Sequence, residues 1–470
     1  MRRDYDDYDE DEDDDDQPGR SWLRWTLYAA LVAGGLLLGF LIPYVLVLDG
    51  QVREEFGHLK WQLPTRVYAQ PLQLANGVPM NPPTLLLELE AAGYRKDGIA
   101  SDPDTYLRDG NTFRITSRGF NDVDAVVPAS RIQVVLGDGK VAGLKALDGK
   151  PLSKVILDPA PIAALYGDSQ EERRLVRLED VPSLMITGLQ AVEDRDFKSH
   201  HGIDFTGIAR ALWVDAREGE MRQGGSTISQ QLVRMLFLSR ERSLRRKVKE
   251  ALYAMLIEAR FDKRHILEAY LNEVFLAQQG SQSIHGVESG AQFWFGRSVK
   301  ALPTQDIALI IGLIKGPSFY DPRRYPERAL ARRNTVLETF ATTGLIQPEE
   351  LLRAKAAPLG ISAHPGVVTN RYPAFIDLVR RQLQTDYPAD QLRGAGLSIH
   401  TTLDPAAQIY SEQAVQTALT KVQRKKGPVL ESGMVVTDTN TGGVLAMIGS
   451  REFTQGDFDR ALDAKRPVGS

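Results

Sequence analysis

The stretch that decides how this chain is read is "AVEDRDFKSHHGID", residues 191–204, which follows directly on the apolar run "SLMITGLQ" at 183–190. Four acids (Glu193, Asp194, Asp196, Asp204), two bases (Arg195, Lys198) and two histidines surround Phe197. Charge crowded against a hydrophobic element is costly unless it is paired or has chemistry to perform. His200 and His201 are neighbours whose side chains diverge, a poor metal pair without distant ligands, so a hydrogen-bonding scaffold role suits His200. Asp194-Arg195-Asp196 also fits a metal-holding Asp-x-Asp pattern, but a pattern that short arises readily by chance.

Outward from this stretch, residues 165–345 carry a helical period. "SLRRKVKEALYAMLIEAR" (243–260) places Leu244, Val248, Leu252 and Met255 on one face, with Ser243 as N-cap. "DKRHILEAYLNEVFL" (262–276) starts at an Asp262 cap, and "PTQDIALIIGLI" (303–314) is apolar enough for a buried core helix. Charged clusters recur at "GGSTISQQLVR" (224–234), "RERSLRRKVKEA" (240–251) and "LEAYLNEVFL" (267–276). Gly224-Gly225-Ser226 before an apolar helix turns N–H groups toward an anion, but the Lys-Ser/Thr of a P-loop is missing, which argues against nucleoside triphosphates. Arg240 to Lys249 holds six positive side chains against Glu241, enough for a phosphate or a phospholipid head. Glu250, at helical spacing from Arg246 and Lys247, would by itself be one member of an ion-pair ladder.

On the amino-terminal side, residues 66–160 read as a small β-rich domain: "TFRITSRGF", "RIQVVLG" and "KVAGLKAL" alternate between turn signals, interrupted by one helix, "PPTLLLELEAAGY". Residues 25–48 contain no charge and as a helix would reach about 36 Å. That exceeds a hydrocarbon core of roughly 30 Å, so they are expected to form a retained signal-anchor helix, with the tail inside and the body outside. Residues 1–24 form the tail; the first sixteen carry eleven acids against two arginines, a self-repelling block expected to be disordered. With a total charge of −4 over 470 residues, the body is mildly basic. There are 0 cysteines, which excludes disulfides and cysteine metal sites. Beyond the helical region, 346–428 is a mixed connecting region, and 429–470 opens a further domain with "SGMVVTDTNTGGVLAMIGS" as two strands around a turn.

Taken together and in order, "EDRDFKSHHGID", "GGSTISQQLVR", "RRKVKEA", "ILEAYLNEVFL" and "GVESGAQFWFG", continuing through "LIIGLIKGPSFYDPRRYPERALARRNTVLETF", resemble the family 51 glycosyltransferase domain of class A penicillin-binding proteins. The layout is similar to the 1b type. That resemblance implies a multi-domain α+β fold: a transmembrane helix, a small β-rich regulatory (UB2H-like) domain, a mainly α lysozyme-like glycosyltransferase domain, and the beginning of an α/β transpeptidase domain. "FDRALDAKRPVGS" looks like the approach to the transpeptidase nucleophile, which by resemblance is Ser470. The partner lysine of its Ser-x-x-Lys motif lies past the last residue, so neither cross-linking nor covalent penicillin binding is expected of this chain.

The implied reaction is polymerisation of lipid II onto a growing glycan strand at the outer face of a bacterial inner membrane, with polyprenyl pyrophosphate leaving and the anomeric centre inverted. The resemblance assigns Glu193 as general base and Glu250 as the second essential carboxylate. Asp194 supports the site, Phe197 shapes the acceptor pocket, and Arg246 and Lys247, helped by Arg234, Thr227 and Gln231, meet the pyrophosphate. The family often has lysine where Arg234 stands. No cofactor is required; Glu250 would act on the leaving group directly or through a divalent cation, Mg or Mn. Partners implied are the inner membrane, an outer-membrane lipoprotein activator at 66–160 and other cell-wall synthesis proteins. The alternative is a non-catalytic, membrane-anchored scaffold that binds lipid II. A nucleic-acid binder is disfavoured by the interleaved glutamates and the anchor.

Overall fold

A computed structural model describes residues 21–467 apart from 58, 60, 62, 101, 124, 167–169, 208–225, 239–242, 363–369, 389–395, 425–426 and 455–456. Most of the acidic tail, Gly224, Gly225, Arg240 and Ser470 lie outside the described residues.

The apolar run folds as α1 (Ser21–Gln51), with Pro43 inside it. Its apolar stretch, continued by one π-turn to Phe56, is long and apolar enough to cross a membrane, and side chains such as Leu31, Leu36 and Phe40 project from it exposed. Next come β1 (Thr65–Tyr68), β2 (Leu72–Ala75) and α2 (Pro82–Ala91), whose first turn is capped by Asn81 and opened by proline. β3 (Arg95–Lys96), β4 (Thr105–Asp109) and β5 (Thr112–Thr116) lead to a small ribbon, β6 (Phe120–Asn121) with β7 (Val126–Val127). β8 (Arg131–Gly137) and β9 (Lys140–Ala146) complete a five-stranded sheet of order β3-β4-β5-β8-β9. In β8 every second residue is buried, the period-2 pattern that puts Ile132, Val134 and Leu136 on one face.

β10 (Lys154–Leu157) pairs with β2, and β11 (Pro161–Leu165) pairs antiparallel with β1. β12 (Glu171–Arg173) joins the helical module: α3 (Ser183–Glu193), α4 (Ile228–Phe237), α5 (Leu244–Arg260), α6 (Lys263–Glu273), the hairpin β13 (Phe275–Gln279) and β14 (Gln282–His285), then α7 (Val287–Phe295), α8 (Thr304–Ile314), α9 (Pro326–Thr342) and α10 (Pro348–Ala356). As its composition predicts, α8 is central, buried from Asp306 to Leu313 and packed against α3 and α9. Gly188 lets α3 sit directly on Phe340, since a Cβ there would come within 2.5 Å of the ring. The "FWF" run is core, with Phe293, Trp294 and Phe295 all buried.

Residues 346–428, expected to be a connecting region, are packed at both ends. Ile346 and Ala354 complete the helical core. α11 (Pro373–Asp386) and β15 (Ser398–His400) fasten onto the β-rich module: Phe375, Ile376 and Val379 enter its core, and β15 pairs in parallel with β1. α12 (Pro405–Val422) follows, and β16 (Met434–Thr437) with β17 (Val444–Ile448) form the expected antiparallel hairpin, whose Met447 joins the same core.

One expectation about α5 needs correction. Of its apolar face only Leu252 packs on the core: Leu244 is 89% and Val248 62% exposed, while Glu250, Tyr253, Ala254 and Ile257 on the opposite side are buried. The period groups the residues, but Leu48, Val52 and Phe56 at the foot of α1 share a core with Tyr253 and Ile257, and that contact turns the polar-bearing face inward.

Candidate active site

α3 ends at Glu193 because Asp194 leaves the helical region (φ −160, ψ 81), which holds the Glu193 carboxylate half-buried at the helix terminus. Gln231 of α4 donates from Nε2 to Glu193 Oε2 at 3.0 Å, and the Tyr270 hydroxyl of α6 donates to Gln231 Oε1 at 3.0 Å. Burial first, and then the nearby Glu193 carboxylate, push the Tyr270 phenol well above its ordinary range. It therefore stays a donor, and its hydroxyl dictates which end of the Gln231 amide faces Glu193.

Asp194 is 7% exposed and structural in its contacts. Its Oδ2 accepts from the Ile228 N–H at 2.9 Å, tethering the start of α4, and both oxygens face His200 Nε2 at 3.1 and 3.0 Å. His200 Nδ1 accepts from the Gly202 N–H at 3.2 Å, so the ring proton sits on Nε2, the scaffold role expected of it. Gly202 has φ +90 and lies so near the Ala254 carbonyl that a Cβ would approach it to 2.7 Å, a position only glycine fills. Thr227 is 2% exposed; its hydroxyl donates to the Gly202 carbonyl at 2.7 Å and accepts from Gln230 N at 3.1 Å. Thr227 thus clamps the loop to a capping box instead of presenting a free hydroxyl to a ligand. Phe197 is 1% exposed, a core aromatic beneath the site, with Lys263 Nζ 4.4 Å above its ring.

The second carboxylate approaches from α5. Ser243 caps that helix through Arg246 N at 3.2 Å. Glu250 is 1% exposed, and its Oε1 accepts from Lys247 Nζ, which also donates to Ser226 Oγ at 2.8 Å. Among the described residues, Glu250 Oε2 and Arg246 Nε are buried without a hydrogen-bond partner. A buried acceptor and a buried donor one helical turn apart, both unsatisfied, are what a site shows when part of its hydrogen bonding is left for a ligand. Arg234 stands exposed in the last turn of α4.

Both carboxylates thus converge on one helix: Glu193 meets α4 at Gln231, and Glu250 reaches Ser226, just before α4, through Lys247. Among the described residues no three His, Asp or Glu side chains gather as metal ligands, and the positive charge set against Glu250 is the Lys247 ammonium. A cavity of about 540 Å³ lined by Tyr372, Gln408, Glu412, Met447 and Phe453 lies instead among the last elements of the chain, and none of the site residues borders it. Glu258 was not legible as a site-supporting residue: it joins Ser229, Lys263 and the His200 ring in one buried network. Tyr270 lay inside a recognised motif, and only its contact with Gln231 shows its part.

Fold and site together define a helical module with two carboxylates converging on one helix, joined to a β-rich module and to a helix long and apolar enough to cross a membrane. A family model described as Transglycosylase matches residues 158–341, and one described as the bifunctional transglycosylase second domain matches 74–157. The chain is 36% identical over 429 residues to Penicillin-binding protein 1B of Haemophilus influenzae, covering 90% of this chain and 54% of that protein. It is 33% identical over 454 residues to Penicillin-binding protein 1B of Vibrio cholerae, covering 96% and 58%. A crystal structure of Penicillin-Binding Protein 1A from Haemophilus influenzae aligns with a TM-score of 0.32 at 20% identity, covering 61% of this chain and 36% of that one. These matches make the chain similar, along nine-tenths or more of its length, to the class A penicillin-binding proteins of the 1b type. It spans little more than half the length of these 1B relatives.

Proposed function

We propose that this chain is an inverting peptidoglycan glycosyltransferase that polymerises lipid II at the outer face of the inner membrane, with its N-terminus cytoplasmic and its catalytic module periplasmic. The observation that carries the reading is the convergence of Glu193 and the Lys247–Glu250 pair on α4. An acceptor sugar hydroxyl attacks the anomeric carbon of the growing strand, and Glu193 takes its proton. The bond from that carbon to the pyrophosphate oxygen breaks, and polyprenyl pyrophosphate leaves with both bonding electrons. Arg246, Lys247 and the exposed Arg234 offset its charge, guanidinium forks being suited to phosphate oxygens. Gln231, held by Tyr270, keeps Glu193 oriented. One displacement without a covalent sugar intermediate accounts for inversion.

The lipid-held substrate is supported by the placement of α5. This helix, which carries Arg246, Lys247 and Glu250, joins the foot of α1 and keeps an apolar face open, as a module working on a bilayer surface requires. For the β-rich module we propose a regulatory role in docking a lipoprotein activator; Val123 and Val126 of its ribbon region stand 75% and 74% exposed. The closing hairpin is read as the start of a transpeptidase domain with Ser470 as its nucleophile.

The deciding experiment is polymerisation of purified lipid II by the membrane-reconstituted chain, with Glu193→Gln as the comparison. The wild type is expected to form glycan strands. Loss of one general base costs about 10²–10⁴-fold, so the variant should lie near background. Full polymer yield from Glu193→Gln would reject Glu193 as base, and lipid II binding without polymer by the wild type would favour the scaffold.

A further inference from the structure

The acid at the end of the membrane helix is used by none of the chemistry above. Asp49 is 4% exposed, although it ends an otherwise apolar helix. Arg260, the last residue of α5, grips it with two parallel bonds, Nε to Oδ1 at 2.8 Å and Nη2 to Oδ2 at 2.8 Å. Arg53 adds a bond from Nε to Oδ2 at 2.9 Å. Two positions on, Gln51 accepts from the Tyr253 hydroxyl, also on α5. Phe56 closes the joint edge-on against Phe261, ring centroids 4.7 Å apart.

Tyr253 and Arg260 are separated by about 10 Å of helix rise, whereas their partners Gln51 and Asp49 are separated by about 3 Å. α5 is therefore tied to the end of α1 at two points seven residues apart on its own axis. A helix fixed at two such points can neither slide nor swing about the span, and α5 is the helix that carries Arg246, Lys247 and Glu250.

We infer that Asp49 is a positioning residue for the glycosyl-transfer reaction: through Arg260 it sets the height and tilt of α5, and with it Glu250, against the bilayer surface from which a lipid-linked substrate is presented. This rests on the polymerase reading above. The forked pair suits the task because it fixes direction as well as distance, which a single lysine contact would not.

The test uses the full chain in liposomes with two substrates: lipid II with its long polyprenyl chain in the same bilayer, and a short-chain, water-soluble lipid II analogue added from solution. Asp49→Asn and Arg260→Gln should each raise KM for the bilayer substrate and lower kcat/KM roughly ten- to a hundredfold, the scale of a small misplacement remote from the reacting atoms. Turnover of the soluble analogue should stay at the wild-type level. The double variant should lose no more than either single one, since both break the same joint. Asp49→Glu, which keeps the charge, should recover part of the loss. Equal losses on both substrates would show a merely structural pair and overturn the inference, as would no loss on either. Wild-type failure on both substrates would instead bring down the polymerase reading, and this inference with it.

Discussion

The chemistry proposed for the site depends on two side chains whose partners are unequal. Glu193 is oriented by a neutral relay from Tyr270 through Gln231, so replacing Gln231 by leucine frees the carboxylate to rotate and leaves the buried Tyr270 hydroxyl without its acceptor. The expected outcome is a loss of polymerisation of about tenfold or more together with about 1–3 kcal/mol of stability, read by strand yield and by circular dichroism. Glu250 behaves differently because it is buried and its described partner is a single ammonium. Lys247→Met should remove that partner and cost about 1–3 kcal/mol in urea unfolding, the penalty of an unsatisfied buried group, whereas Lys247→Arg should restore most of it. If both Lys247 variants unfold as the wild type does, Glu250 is not held by Lys247.

At the scale of elements, α4 is the platform, and its first turn is over-determined: Thr227 and Gln230 form a capping box, Asp194 takes the Ile228 N–H, and Thr227 also holds the Gly202 carbonyl. Thr227→Ala should destabilise the module by about 1–2 kcal/mol, since cap and loop contact vanish together. Thr227→Ser keeps the hydroxyl and should restore stability and activity in parallel. A ligand-binding hydroxyl would give another result, with activity lost and the denaturation midpoint unmoved. On α5 the same logic separates two faces: Ser243 caps the helix and Lys247 reaches Ser226 before α4, while Leu244 and Val248 point away from the protein.

Across the whole molecule, the β-rich module is joined to the last third of the chain by a pair of carboxyls. The Ala406 N–H donates to Glu88 Oε1 at 2.9 Å, and Gln70 donates to Asp404 Oδ2 at 3.1 Å. Burial, followed by the Asp404 carboxylate, pushes Glu88 from an ordinary value near 4.5 up to about 8. Between those values the folded chain keeps a proton that the unfolded chain releases, so stability declines as pH rises through the window and levels off above it. Glu88→Gln should flatten that decline, measured as the melting temperature from pH 5 to 9. An unchanged pH slope in the variant would show that Glu88 does not keep its proton.

Much was legible without coordinates because it follows from local rules. An uncharged run longer than a bilayer core marks a helix long and apolar enough to cross one. Asp262 and Ser243 announce their helices because a side-chain oxygen satisfies an N–H that the helix leaves open. The ordered motifs name Glu193 and Glu250 as a pair. Three-dimensional packing alone decided the rest. Periodicity shows that Leu244, Val248, Leu252 and Met255 share a face, but only the seating of α5 on the foot of α1 shows that Leu244, Val248 and Met255 look outward while Leu252 packs on the core. Phe197 and Thr227 stand in the same motifs as the reactive groups, yet one is core and the other a clamp, because burial and hydrogen-bond partners come from chain segments far away in sequence. The same holds for Asp49: nothing within a few residues of it marks it out, and it becomes a joint only because Arg260, 211 positions later, is folded against it.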